Sequence, residues 1–586
     1  MHLFLIRLSK DHLLEEHQRS QLLKQANQYA ADFFPSWTNH KTCSRDFDQI
    51  QFFSWHSDPS FSNRIYNIYD EQKEELTGYV GAPIGKGASI DFRTATAFDA
   101  VKPNELMGQF AYFKIGDRRL RLYGDNVGFH CIFYYHNQEE NAWYVGNSIK
   151  LLKLTKTRKP NLDFFVELYV LGGENWGNHT EDLDIRQLGE YGAIEYSEGK
   201  FSIDSWHDYR GVIESHKYGS TEDYLKQAAE RYAQAADYIE KYHRCIIGLS
   251  GGFDSRLVLS MFKGRSLDDC ACFTFQAGHG RREMRLSQKL ARYHGLPFHF
   301  IQFDYSDLPS LEALTDESKR IGWEYRPYTN AVTHTILSKC QFMYTKNLAF
   351  QPSGTCGDVG TARYAGARPT VQELLDWRVN RKALNPDYHS EFIQKEHQFL
   401  SDRFGDFKDD IADSYFFFEN PQSTKFSYTV YQQKDLDLFP ALISTEFMNL
   451  CFSMPPERRF REAPGSPHHL LLDAFTQGEY PKYGFDKHPH WESGNWVKAM
   501  YKLDDLKKRA LRKFFHRADY FTNLRMRYME DHRDWIIAAV QKHKDSEFMS
   551  RINAQWIKDC CDDKNEMINH YKELTLLVPI LIYLYE

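Results

Sequence analysis

Along the first two hundred residues apolar and polar positions alternate in short runs. GQFAYFKIG, LRLYGD, CIFYYHN, AWYVGN, GAIEYSEG and KFSIDSW are separated by turn-forming strings such as HNQEEN and SEGK. Period-two alternation bounded by turns predicts half-buried strands, so this part reads as a sheet-rich layer domain. MHLFLIRL belongs with it as a further strand, because Arg7 and Lys10 break the apolar run before a signal-like core can form. At Ser220 the period changes. STEDYLKQAAERYAQAADYIEKYH has a Ser or Thr cap, early acids and the apolar spacing of a long helix. A boundary near residue 210 follows, dividing the chain into 1–210 and 211–586.

Beyond that boundary, strand-like CIIGLS, ACFTFQ, PFHFIQF and LAFQPSG alternate with helical DSRLVLSMF, REMRLSQKLARYH and TNAVTHTILSKC. That alternation predicts βαβ units around a parallel sheet. After about residue 370 the pattern is helical, including a basic stretch from Lys507 to Arg533. The longest apolar stretch, Leu574 to Tyr585, contains Pro579 and is too short to span a bilayer, so it predicts a packing segment.

Composition narrows the function classes. With 586 residues, 42% apolar, 26% charged and 15% aromatic, the chain is long enough for more than one globular core and has no disordered or collagenous bias. A net charge of −7 gives no global reason to bind nucleic acid, and the basic Lys507 to Arg533 stretch is the one local hint of it. The ten cysteines are scattered. Cys270/Cys272 and Cys560/Cys561 lie close together without zinc-finger spacing, so free thiols in a reducing cytoplasm are expected.

The candidate chemistry sits in GLSGGFDSR, residues 248–256. CIIGLS would end a strand and DSRLVLSMF begin the next helix, at the strand edge where open α/β sheets bind ligands. Gly251 and Gly252 would let the backbone turn close to a ligand, while Ser250, Ser255 and the first helical amides offer donors to an anion. No Lys completes a GxxxxGKS/T loop. Asp254 would repel a bare phosphate but suits one carried with Mg²⁺, which favours pyrophosphate.

SGGFDS resembles the pyrophosphate loop of ATP pyrophosphatases, and GLSGGFDSRLVLS is similar in particular to the asparagine synthetase superfamily, whose members include β-lactam synthetase and lasso-peptide cyclase. LAFQPSGTCGDVGTARYAG resembles that family's SGEGADEVFGGY, with Ser353, Gly354 and Asp358 matching. The resemblance implies that Asp358 joins Asp254 on Mg²⁺. DAFTQGEYPKYGFDKHPHW is similar to the family's LPxxxxxRPKxGF and places Lys482 where a lysine steadies developing charge. It further implies that Leu249 and Phe275 frame the adenosine of ATP, and that Glu283, Arg281 and Arg282 are candidates for Mg²⁺ or phosphate, Glu283 equally for a plain helix start. Thr355 stands where asparagine synthetases have Glu and β-lactam synthetases Tyr, so the general base is not carried over.

The front part resembles the same family's amidohydrolase domain. GQFAYFKIGDRRLRLYGDNVGFHCIFYY and WYVGNSIKLLKL carry the likeness, with Asp125 and Asn147 read as scaffold. Glutamine-using members begin Met-Cys-Gly, whereas this chain has His2, so no thiolate attacks glutamine there. Cys43 is discounted as a substitute, lacking a following Gly. The fold expected from the resemblance is an N-terminal-nucleophile αββα sandwich over 1–210, then an ATP-pyrophosphatase parallel α/β domain with a helical C-terminal part over 211–586.

The implied function is an AMP-forming amide ligase, using ATP and Mg²⁺ to join a small-molecule, peptide or glycan carboxylate to an amine. An asparagine synthetase-type enzyme fed external ammonia, a non-catalytic relative, and an RNA-modifying ATP pyrophosphatase are the alternatives. No membrane partner is expected, and a homodimer is left open. The histidines of SPHHLLL lack i, i+4 metal-ligand spacing and read as structural.

Overall fold

A computed structural model describes residues 2–34, 39–58, 67–81, 83–85, 103–207, 211, 220–242, 244–265, 270–275, 280–321, 327–340, 343, 349–353, 370–405, 436–459, 465–483 and 520–585. Its first half holds two six-stranded antiparallel sheets. In one, the order is β12 (Arg186–Gln187), β10 (Phe133–Asn137), β11 (Ala142–Gly146), β1 (His2–Ser9), β3 (Ile50–Ser57), β2 (His40–Asp46). In the other it is β14 (Lys200–Ser205), β13 (Gly192–Ser197), β9 (Arg119–Gly124), β8 (Phe110–Gly116), β5 (Glu75–Gly81), β4 (Asn67–Asp70).

The unbroken apolar run of β1 has a simple cause: the strand is buried on both faces. Phe4, Ile6 and Leu8 enter the core between the sheets, with Phe52 of β3 and Phe113, Ile115 and Leu122 of the second sheet. Leu3 and Leu5 point the other way, to Leu22, Ala26, Tyr29 and Phe33 of the helix Glu16–Phe33. Arg7 shares that second face and is buried, donating to the carbonyl of His12 at 2.8 Å and to Tyr144 Oη at 3.2 Å. The outer face of the second sheet carries Tyr79, Phe110 and Tyr112, against which Tyr238 packs from the helix Thr221–Tyr242. The layers are therefore helix, sheet, sheet, with a residue from the second half of the chain on the far side.

The second half is built on a parallel sheet ordered β17 (Phe298–Ile301), β16 (Cys270–Phe275), β15 (Arg244–Gly248), β18 (Ala349–Ser353), β19 (Leu436–Pro440). In chain order this is 3-2-1-4-5, so the direction of winding reverses between β15 and β18. Helices cover both faces, as a parallel sheet requires. Cys245 and Ile247 pack with Leu257 and Val258 of the helix Phe253–Ser260, while Ile246 packs oppositely with Ile336 and Leu337.

The largest apolar cluster runs across position 210. Phe165 and Tyr169, from the helix Leu162–Val170, belong to the same core as Leu257 and as Leu577 and Leu581 of the helix Tyr571–Tyr585. No helix among the described residues is long and apolar enough to cross a membrane. Nine described cysteines are free thiols.

His2 starts β1 at 1% exposure, its Nδ1 2.8 Å from the carbonyl of Tyr79, with the rings of His56 and Phe113 beside it. Burial, then the neighbouring charges of His56 and His130, hold its pKa well below the usual histidine value. The folded value thus lies below the unfolded one, the unfolded chain binds more protons between the two, and stability is lost as pH falls below about 6.5. The slope per such group reaches about 1.4 kcal/mol per pH unit. Between pH 7 and pH 5 the denaturant midpoint of the wild type should fall more steeply than that of His2→Gln, as read by equilibrium unfolding.

Candidate functional site

β15 delivers Leu249 and Ser250 to the carboxyl edge of the sheet, and the chain re-enters helix at Phe253. What shapes the turn between them is a pair of hydroxyls. Ser255 Oγ accepts the amide of Ser250 at 3.1 Å and donates to the Ser250 carbonyl at 3.0 Å. Ser250 Oγ lies 2.8 Å from Ser255 Oγ and accepts the amide of Gly252 at 3.1 Å. Both hydroxyls are thus engaged in holding the loop. Gly252 has φ −75 and ψ 159, ordinary extended backbone, so its value is spatial: a Cβ there would stand 3.2 Å from Ser250 Oγ.

Leu249 is buried, its amide bonded to the carbonyl of Phe273 at 2.8 Å and its carbonyl accepting Ser287 Oγ at 3.0 Å. It supports the loop from beneath. Its backbone, expected from the resemblance to frame a nucleotide, is spent on β16 and on the helix Gly280–Tyr293. Phe275, the last residue of β16, stands at the carboxyl edge with 36% of its surface exposed.

Two residues without an assigned role in the sequence reading complete this site. Arg256 is fully buried, donates from Nη2 to the Gly251 carbonyl at 2.7 Å and lies 4.8 Å from the centre of the Phe253 ring. A guanidinium is thereby fixed under the loop, adding its charge to the positive end of the helix Phe253–Ser260. Its signal was an Arg in a helix whose other neighbours, Leu257, Val258 and Leu259, are all core. His468 is the second. It is fully buried near the start of the helix Pro467–Thr476, and its Nε2 lies 2.8 Å from Asp254 Oδ1. Asp254 keeps 20% exposure. Ser466 caps that helix through the His469 amide, which aims His468 at Asp254, and the Phe447 ring meets the imidazole edge-on at 5.3 Å. The contact joins residues 214 apart, so SPHHLLL carries no local pattern that points to Asp254.

β18 ends at the same edge, at Ser353. β15 and β18 pair in parallel with Arg244 opposite Ala349 and Cys245 opposite Phe350, a register that carries Gly248 level with Ser353. The end of β18 therefore lies next to the end of β15, across the point where winding reverses. Gly354, Thr355 and Asp358 lie outside the described residues, as do the side chains of Ser353, Arg281, Arg282 and Glu283 and the chain from 501 to 519.

Lys482 is placed elsewhere. It lies exposed in the single turn Tyr480–Tyr483, whose anchor is the buried Tyr480. The Tyr480 hydroxyl is 2.7 Å from Nε2 of His294, which follows the end of the helix Gly280–Tyr293. Burial, then the Lys263 charge, lowers the His294 pKa to about 3, so the bond is made by a neutral ring. Glu479 pairs with Lys263 at 3.4 Å, just past the helix Phe253–Ser260, and hydrogen bonds from Tyr293 and Lys263 hold its carboxyl below the usual range. Both helices run back from the carboxyl edge and end at the amino edge of the sheet. The turn that carries Lys482 is tied through Glu479 to Lys263, past the end of the helix Phe253–Ser260, whereas Asp254 lies in that helix's first turn.

In the front half the expected scaffold roles have definite partners. Asp125 is fully buried and accepts the amides of Phe129 and His130 at 2.7 Å each and of Val127 and Phe110 at 3.2 and 3.3 Å. Asn147 clamps the start of β1, accepting the Phe4 amide at 2.9 Å and donating to the His2 carbonyl at 2.8 Å. Cys43 lies inside β2, paired in register with Ser54, and burial raises its thiol pKa.

No protein-family model matches the chain, and no curated protein does. Among solved structures, "Structure of the allosteric regulatory enzyme of purine biosynthesis" matches at 9% identity and a TM-score of 0.23, over 51% of this chain and 65% of that one. Glutamine phosphoribosylpyrophosphate amidotransferase from B. subtilis, complexed with ADP and GMP, matches at 9% identity and a TM-score of 0.23, over 60% of this chain and 81% of that one. The chain thus spans less than two thirds of the first protein's length. At this score neither likeness bears on the chemistry.

The Asp254–His468 contact makes a direct stability prediction. His468→Ala should lower stability by about 1.5–3 kcal/mol, the range for a hydrogen bond to a charged group. Asp254→Asn combined with it should cost less than the sum of the two single changes. Guanidinium unfolding of the four proteins in the cycle reads both.

Proposed function

We propose that this chain is an ATP-dependent, AMP-forming amide ligase, with its reacting centre at the carboxyl edge between β15 and β18. The observation that carries the reading is the sheet order. It sets the Ser250–Asp254 loop beside the start of the Ser353–Asp358 segment at the reversal of winding, where open α/β sheets hold nucleotides. The loop's donors fit an anion: the amides of the first helical turn point along the helix axis, and buried Arg256 lies beneath.

In this reading a substrate carboxylate attacks the α-phosphate of ATP, the bond to the bridging oxygen breaks, and pyrophosphate leaves. An amine then displaces AMP from the acyl-adenylate, losing a proton and leaving an amide. Mg²⁺ held by Asp254 and Asp358 would neutralise the leaving pyrophosphate. His468 positions the Asp254 carboxylate through Oδ1, and the Ser250–Ser255 pair fixes the loop before substrate arrives, so little reorganisation is left to the reaction itself. The exposed ring of Phe275 is placed to stack on adenine. With Lys482 at the amino edge, the proposal assigns charge stabilisation to Arg256 and the helix amides.

The front layers, read as an N-terminal-nucleophile-type sandwich, serve in this proposal as scaffold. His2 fills the strand start between the sheets and has no thiol chemistry, so the amine is supplied by a second substrate or as ammonia, not from glutamine bound there.

Release of AMP and pyrophosphate across a panel of carboxylates, each with an amine or ammonia, tests the assignment. Asp254→Ala should lower the rate at least about 10²-fold, the scale of losing one preorganised charge-stabilising group, while Lys482→Ala leaves most of it. Asp254→Ala with full activity would contradict the reading. Loss in Lys482→Ala alone would move the reacting centre to the Tyr480–Tyr483 turn.

A further inference from the structure

We propose that Cys560, Glu566 and His570 form a Zn²⁺ site with a fourth position open to water. A thiol sulfur, a carboxylate oxygen and an imidazole nitrogen from these residues lie within 4.8 Å of one another. They come from two adjoining elements. Cys560 is near the end of the helix Ala554–Asp562, and Glu566 is one turn before His570, which caps the helix Lys564–Asn569.

The Glu566–His570 edge of the set already has tetrahedral spacing. Ligand atoms about 2.0–2.3 Å from Zn²⁺ stand roughly 3.3–3.8 Å apart, and His570 Nε2 is 3.5 Å from Glu566 Oε2. The other ring nitrogen is supported from behind. Nδ1 is 3.5 Å from Glu573 Oε1 and 3.2 Å from Asn380 Nδ2, which donates to the same Glu573 oxygen at 2.9 Å. A carboxylate behind one imidazole nitrogen leaves the other as the metal-facing lone pair, the arrangement that orients histidine ligands in zinc sites. The Trp556 ring meets His570 edge-on at 5.0 Å and limits its rotation.

The donor set selects the ion. A thiolate with an imidazole and one carboxylate matches Zn²⁺ better than Mg²⁺ or Ca²⁺, which take oxygen ligands. Cys560 is 2% exposed and its sulfur makes no hydrogen bond to any described residue, whereas Glu566 keeps 45% exposure, so an ion can enter from the Glu566 side. Binding breaks the Cys560 S–H bond and sends that proton to buffer. Metal binding requires the neutral His570 ring with its proton on Nδ1, donated to Glu573, and the Asn380 amide nitrogen, 3.2 Å from Nδ1, then donates to the Glu573 oxygen alone. The sequence did not show this set because Cys-x5-Glu-x3-His matches no zinc-finger spacing.

Co²⁺ added to the full chain, freed of metal by chelator, tests the site. One equivalent should give a near-ultraviolet thiolate-to-cobalt charge-transfer absorption that Zn²⁺ displaces. Cys560→Ser should abolish the band and Cys561→Ser retain it. Glu573→Gln should weaken Co²⁺ binding about 10-fold while keeping the band. Glu566→Gln, at a half-exposed position, should weaken binding with the metal-free unfolding midpoint unchanged, which separates ligand loss from misfolding. A wild type without the band, or a band that survives Cys560→Ser, would overturn the proposal.

Discussion

The structure depends on a constraint six residues long: the hydroxyls of Ser250 and Ser255 bind one another and the backbone around them, so the strand-to-helix turn has one shape. Everything at the carboxyl edge is referred to that turn. It sets the direction of the helix Phe253–Ser260, and with it the position of Asp254 at one end and of Lys263 at the other. The helix Pro467–Thr476 then reads both ends. His468 holds Asp254, and beyond the helix terminus Glu479 pairs with Lys263. A segment more than 200 residues downstream is thereby locked alongside the loop.

The same lock gives the polar residues buried here a task. Arg256 and His468 are each fully buried, and such groups are costly unless they bind something. Arg256 binds a loop carbonyl and His468 a loop carboxylate. Both therefore act on the shape and charge of the turn between Ser250 and Asp254. At the other edge, Tyr480 and His294 perform a purely structural version of the same task. In the front half Asp125 and Asn147 do so again, binding backbone groups around Phe129 and the start of β1.

Much of the fold was legible where burial imposes a period. The unbroken MHLFLIRL is β1 because both of its faces are covered, and the cap at Ser220 marks its helix because Ser220 Oγ accepts the Asp223 amide at 3.1 Å. CIIGLS and DSRLVLSMF resolve into β15 and its following helix for the same reason. Sheet order was not legible, since strand neighbours are a tertiary choice, and the reversal between β15 and β18 emerges only from pairing. Nor was the continuity of the core across position 210, where the rings of Phe165 and Tyr583 meet at 5.1 Å. Within the site, the small residues and Asp254 carried a local signal. His468 did not, because its role is set by a partner far along the chain. Lys482 shows the converse limit: a string similar to a functional one, PKYGF, follows a tyrosine whose packing on His294 takes the turn to the other edge of the sheet.

The central claim is that the edge between β15 and β18 holds a nucleotide together with its metal. Calorimetric titration of ATP into the full chain, with Mg²⁺ and again with EDTA, measures it most directly. The account predicts saturable binding with Mg²⁺ that weakens strongly in EDTA, and weakens likewise in Asp254→Asn with Mg²⁺ present. No binding, or binding indifferent to both Mg²⁺ and Asp254, would contradict it.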